Sequence, residues 1–126
     1  MQALQTNDIK IETKKIHDVL LTIGIPSHLL GYTYIITALE YVSLNPMYLN
    51  LMTKQLYPSI AKTHATTPSS VERAIRHAIS VGWSCGNIDY IYEIFKNSVR
   101  ADKGVPTNSL FLARLFHYFN TAESVY

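Results

Sequence analysis

The chain is poor in charge, in cysteine and in anything a membrane would hold. Charged residues make up 16% of its 126 positions, below the usual quarter, so it is neither an acidic nor a basic disordered tail. The formal charge is +2 and the isoelectric point about 8.7. That mild excess says little about nucleic acid, and any case for it rests on where the cations sit. A single cysteine, Cys85, excludes an internal disulfide, and no CxxC or Cys/His spacing suggests zinc. No apolar run approaches the roughly 20 residues of a membrane span. The opening MQALQTNDIK has neither the basic n-region nor the apolar h-region of a signal peptide. A cytoplasmic protein with no membrane contact is the expectation. No Ser-His-Asp arrangement, Gly-rich phosphate loop or paired-carboxylate motif occurs, so no enzyme and no cofactor is expected.

What is present is apolar content, 48%, enough to fill one domain's core at this length. It recurs at helical spacing, with no period-2 strand pattern. Residues 1–7 lack periodicity and read as a loose arm or linker, and 8–126 as one domain. Ile9, Ile16, Val19, Leu20 and Ile23 predict a helix over 8–23, stopped by Gly24 and Pro26. Ser27 is a candidate N-cap for a second helix through Val42, which runs out at Asn45-Pro46. A third segment covers 48–57, and Pro58 predicts a kink or a fresh start, with a short helix over 58–64. A strong helix follows the polar connection 65–68 and breaks at Cys85-Gly86-Asn87. A short helix over 88–95 sets Ile88, Ile91, Tyr92 and Phe95 on one side. An irregular basic stretch over 97–108, with Lys96, Arg100 and Lys103 in and beside it, precedes a final helix from Ser109. The fold class is therefore all-α, about six helices, without a wing of strands.

Residues 57–83, YPSIAKTHATTPSSVERAIRHAISVGW, have the layout of a helix-turn-helix over about 58–83. Val71, Ile75, Ala78, Ile79 and Gly82 form one stripe of the second helix and should face the core. Glu72, Arg73, Arg76, His77 and Ser80 lie on the other side. Its start is marked either by a Ser69/Glu72 capping box or by Thr67 with Pro68 at the first helical position. Arginine and histidine on the exposed first half of a helix suit major-groove reading. Arginine donates twice to guanine O6 and N7, and a carboxylate accepts from cytosine N4. Glu72 and Arg76 also form the i, i+4 pair that steadies any solvated helix by a few tenths of a kcal/mol.

The run SSVERAIRHAISVGWSCGNID resembles the DNA-binding effector domain of the stage-zero sporulation protein A family, the master sporulation response regulators of endospore-forming bacteria. The likeness extends to IGIPSHLLGYTYI, LYPSIAKTHATT and PTNSLFLA, and covers the chain from about Ile16 to Leu115. It implies a six-helix effector domain that binds tandem copies of a TGTCGAA-like DNA element. Such a domain acts as activator or repressor, and can contact the RNA polymerase sigma subunit. Carried over by position, Glu72, Arg73, Arg76 and His77 match the family's groove-facing residues, with recognition helix 69–83. Lys62, Ser69 and Ser70 are expected at phosphates, through side chains or N–H groups at a helix start. A homodimer on DNA is expected too.

Two positions depart from the family. Ser70 stands where an arginine that helps read DNA is usual, and Cys85 where another basic residue is common. Family members also carry an N-terminal receiver domain, whose phosphorylation permits dimerisation, and nothing in this sequence resembles one. The chain then reads as an excised effector domain or a stand-alone relative. A rival function is a protein-interaction module that modulates a full-length regulator or the sigma subunit without strong DNA binding.

Other residues carry plainer readings. The histidines His17, His28, His64, His77 and His117 form no HExxH or i, i+4 pair, so metal is not expected. Glu40 reads as a helix-edge carboxylate, Cys85 as a helix-terminal thiol rather than a redox switch. The nine tyrosines read as core fillers with hydroxyls reaching outward rather than as base-stacking platforms.

Overall fold

The computed structural model describes residues 12–95 and 104–125. Among them, six α-helices form in order: α1 Thr13–Ile23, α2 Leu30–Leu44, α3 Tyr57–His64, α4 Pro68–Cys85, α5 Ile88–Phe95 and α6 Asn108–Val125. No strand occurs among the described residues, and the domain is all-α. The arm expected at 1–7, the first turn expected at 8–11 and the basic residues of 96–103 lie outside the described residues.

Helix α1 ends where Gly24 turns left-handed (φ 111°) and sends its N–H to the carbonyls of Leu20 and Leu21. The start of α2 differs from expectation. Ser27 lies in the preceding turn, and Leu29 occupies the N-cap with no side-chain bond. Helix α2 is buried on most of its circumference, as a central helix must be: Tyr32, Tyr34, Ile35, Ala38, Leu39 and Val42 all lie inside.

The segment expected as a helix over 48–57 is two short pieces. A 3₁₀ turn, Pro46–Asn50, is capped by the Asn45 side chain, which accepts from the Met47 N–H at 3.1 Å. A π turn, Met52–Leu56, follows, with the Leu56 N–H reaching the Leu51 carbonyl at 2.9 Å. Pro58 supplies the reason: it has no N–H to continue an α ladder, so the chain widens by one residue before it and α3 starts afresh.

Helix α4 crosses α2 and α3. The crossing with α2 depends on Gly31, where a β-carbon would collide with the Ala74 carbonyl oxygen and come within 2.7 Å of the Ala78 methyl. Ile75 and Ile79 of α4 are fully buried with Ile35 and Leu39 of α2 and Ile60 of α3. Burying one such side chain contributes roughly 1.5–3 kcal/mol. At the far end of α4, Trp83 packs edge-on against Phe95 and Phe111, with ring centroids 5.1 and 5.9 Å away. Arg114 donates from Nε to the Ile94 carbonyl at 3.0 Å and so closes the end of α5. Helix α5 faces inward through Ile91, Ile94 and Phe95. Ile88 and Tyr92, expected on that side, are exposed, 71% and 53%: Ile88 is the first residue of the helix, and Tyr92 lies about 100° round the helix from Ile91, beyond the edge of the buried stripe.

Candidate nucleic-acid interface

Three residues, Ala65, Thr66 and Thr67, join α3 to α4. Ala65 takes the left-handed conformation (φ 56°, ψ 49°), at a cost of roughly 1–2 kcal/mol for a residue with a β-carbon. The return is a tight turn in which the N–H groups of Ala65 and Thr66 both reach the Ala61 carbonyl. Ala61 itself is buried, and a small residue there permits the close approach of the two helices. Thr67 then caps α4, its hydroxyl oxygen accepting the Ser70 N–H at 3.2 Å, with Pro68 at the first helical position. Of the two start signals in the sequence, the Thr67–Pro68 one forms, and Ser69 lies inside the first turn. Helix α3 is tied to α2 by two polar contacts at its end. His64 Nε2 meets Thr37 Oγ1 at 2.7 Å, and the Tyr41 hydroxyl meets Thr63 Oγ1 at 2.7 Å.

The two faces of α4 separate as its sequence pattern predicts. Val71, Ile75, Ala78, Ile79 and Gly82 are buried. Ser69, Ser70, Arg73, Arg76 and His77 are exposed and Glu72 is half-buried. Arg73 lies roughly opposite the buried stripe, by the 3.6-residue period of the helix, with Ser69, His77 and Ser80 around it. Arg76 sits toward one flank and donates from Nη2 to Glu72 Oε1 at 3.2 Å. Both side chains remain open to solvent, 58% and 35%, so the pair holds Arg76 in place without contributing much stability. Among the described residues no ion pair engages Arg73 or His77. Lys62 is exposed in the last turn of the preceding helix. The expected residues thus collect on the outer face of α4, save Lys62, which α3 carries.

Two further residues meet beside this face: Tyr57, expected among the tyrosines as a core filler, and Asn108, for which the sequence carries no signal. An open groove of about 670 Å³ runs beside α4 between Glu72, Arg76 and Ser80 on one wall and Pro106, Thr107 and Ser109 on the other. At its base Asn108, the first residue of α6, is 8% exposed. Its amide nitrogen donates to the Tyr57 hydroxyl at 3.0 Å and to the Glu72 backbone carbonyl at 3.1 Å. Burial pushes the Tyr57 hydroxyl above the ordinary tyrosine range, while the Asn108 bond pulls the other way. Nothing local flags Asn108, because its partners lie 51 and 36 residues away along the chain. Cys85 and Glu40 are exposed, and among the described residues no cluster of three metal-ligating side chains forms. No described helix is long and apolar enough to cross a membrane.

An all-helical domain whose α3, three-residue turn and capped α4 follow in this order is of the helix-turn-helix class. Residues 16–119 match the family described as sporulation initiation factor Spo0A C terminal, and the chain belongs to that family. It is a DNA-binding, transcription-regulatory family of a sporulation regulator and not an enzyme family.

Proposed function

We propose that this domain regulates transcription by seating α4 in the major groove of a TGTCGAA-like double-stranded element, read in tandem copies by two domains side by side. Arg73 and Arg76 read guanines, Glu72 and His77 add discrimination, and Lys62, Ser69 and Ser70 meet phosphates. The sigma subunit of RNA polymerase is its protein partner in this reading, the cytoplasm its location, and residues 8–126 its single folded unit. The observation that carries the reading is the outer face of α4. Exposed cations and hydroxyls crowd the first half of a helix whose opposite face is fully committed to the core. That is the disposition base reading demands: a rigid rod with free donors.

Fluorescence-anisotropy titration against a duplex with two such elements, and against a scrambled duplex, tests it across a salt series. Contacts to phosphate alone give salt-sensitive binding without preference. A preference of about tenfold or more, equivalent to about 1.4 kcal/mol, is expected, and Arg76→Ala should abolish it with the fold intact. Unchanged specific affinity in that variant at fixed salt would count against the assignment. Absence of binding even at low salt would favour the rival role, a module that binds a full-length regulator or the sigma subunit.

A further inference from the structure

Asn108 joins three elements at one point. It opens α6, bonds the hydroxyl of Tyr57 at the start of α3, and bonds the carbonyl of Glu72 in the second turn of α4. Both N–H groups of its amide are thereby used. The Glu72 carbonyl has two lone pairs, one for its own helical bond and one for Asn108. Glu72 sits between Ser70 and Arg73, so a bond to its backbone fixes the height and rotation of α4 at the turn that carries the outward arginine. The other end of the clamp is firm. Thr107 caps α6, accepting the Leu110 N–H at 3.2 Å, and Phe111 is fully buried one turn further on. Tyr57 and Asn108 are 7% and 8% exposed, too deep to touch DNA themselves.

We propose that the Asn108 side chain and the Tyr57 hydroxyl are positioning residues for sequence reading, setting the register of α4 in the groove through the Glu72 carbonyl. This rests on the reading of α4 as the DNA-facing helix. Displacing α4 leaves the phosphate contacts nearly as good, since a backbone is forgiving, but spoils the bidentate geometry a base edge requires. The clamp therefore acts on preference more than on total affinity.

The test compares wild type, Tyr57→Phe, Asn108→Leu and the double variant, each folded at the measuring condition. Single variants strand a buried polar partner and should unfold at lower urea. The double variant leaves neither side chain polar and should recover most of that loss. Preference behaves differently if the clamp positions α4. All three variants should lose about tenfold in their preference for the element over scrambled DNA, with scrambled binding unchanged. Retained preference in the variants, or a double variant that recovers preference together with its urea midpoint, would overturn the proposal and leave a bond that serves stability alone. If wild type shows no preference, the functional reading fails instead. The clamp is then judged without DNA, by amide hydrogen exchange over 72–77. Faster exchange in the double variant supports it, and rates equal to wild type overturn it.

Discussion

Along the inner face of α4, Val71, Ile75, Ala78 and Ile79 are fully buried and Gly82 lies against Ile25. Along the outer face Arg73, Arg76 and His77 are exposed, and the one ion pair there, Arg76 with Glu72, stays in solvent. The two faces share one backbone but answer to different free energies. The inner face determines whether the helix exists and where it lies, and the outer face has no packing to satisfy. Substitutions on the two faces should therefore separate cleanly, one set in unfolding experiments and the other in binding.

The largest effect is expected inside. Ile75→Ala should lower unfolding stability by about 2–5 kcal/mol, read from urea denaturation, and should weaken DNA binding only as far as it depopulates the fold. Outside, Arg73→Ala should leave stability within about 0.5 kcal/mol and cost about 1–3 kcal/mol of specific affinity. A destabilised Arg73→Ala with intact binding would show that the outer face serves the fold rather than DNA. At the seam between the faces, Thr67→Ala removes the α4 cap and should cost about 1 kcal/mol of stability. It should also loosen the turn that presents Ser69 and Ser70. Ser70→Arg, which adds a cation in the first turn of α4, should tighten specific binding by about 1 kcal/mol and steepen the salt dependence by roughly one phosphate's worth. The smallest change is Glu72→Gln, which removes an exposed pair worth about 0.3–0.5 kcal/mol. In binding, the same variant should lose part of the preference for the element, as the discriminating role proposed for Glu72 requires, and an unchanged preference would remove Glu72 from the reading residues.

The sequence made the faces of α4 legible because amphipathic period and burial are the same information there. Every residue of the stripe expected to face the core does so. The Gly24 stop and the Pro58 restart were legible for a similar reason, since glycine and proline act through their own backbones. Helix α5 was not. Ile88, Ile91, Tyr92 and Phe95 satisfy helical spacing, yet Ile91, Ile94 and Phe95 satisfy it too, and only the partner surfaces choose between the two stripes. The π turn before Pro58 replaced a plain helix because the proline's effect reaches backward over the preceding turn. Gly31 looks like an ordinary helix-weakening glycine until α4 is laid across it. Asn108 is illegible for the simplest reason: its meaning lies in Tyr57 and Glu72, which the chain brings to it only after folding.

If the outer face of α4 reads guanine edges in the major groove, methylation interference will show it. Guanines of the TGTCGAA-type duplex, methylated at N7, lose the acceptor that Arg73 and Arg76 are assigned to use. Methylation at one or more guanines of the element should block binding by wild type. In Arg73→Ala or Arg76→Ala, the residual binding should become indifferent to methylation at the corresponding guanine. Wild-type binding that is equally strong to methylated and unmethylated elements would contradict it, and would place α4 somewhere other than against those bases.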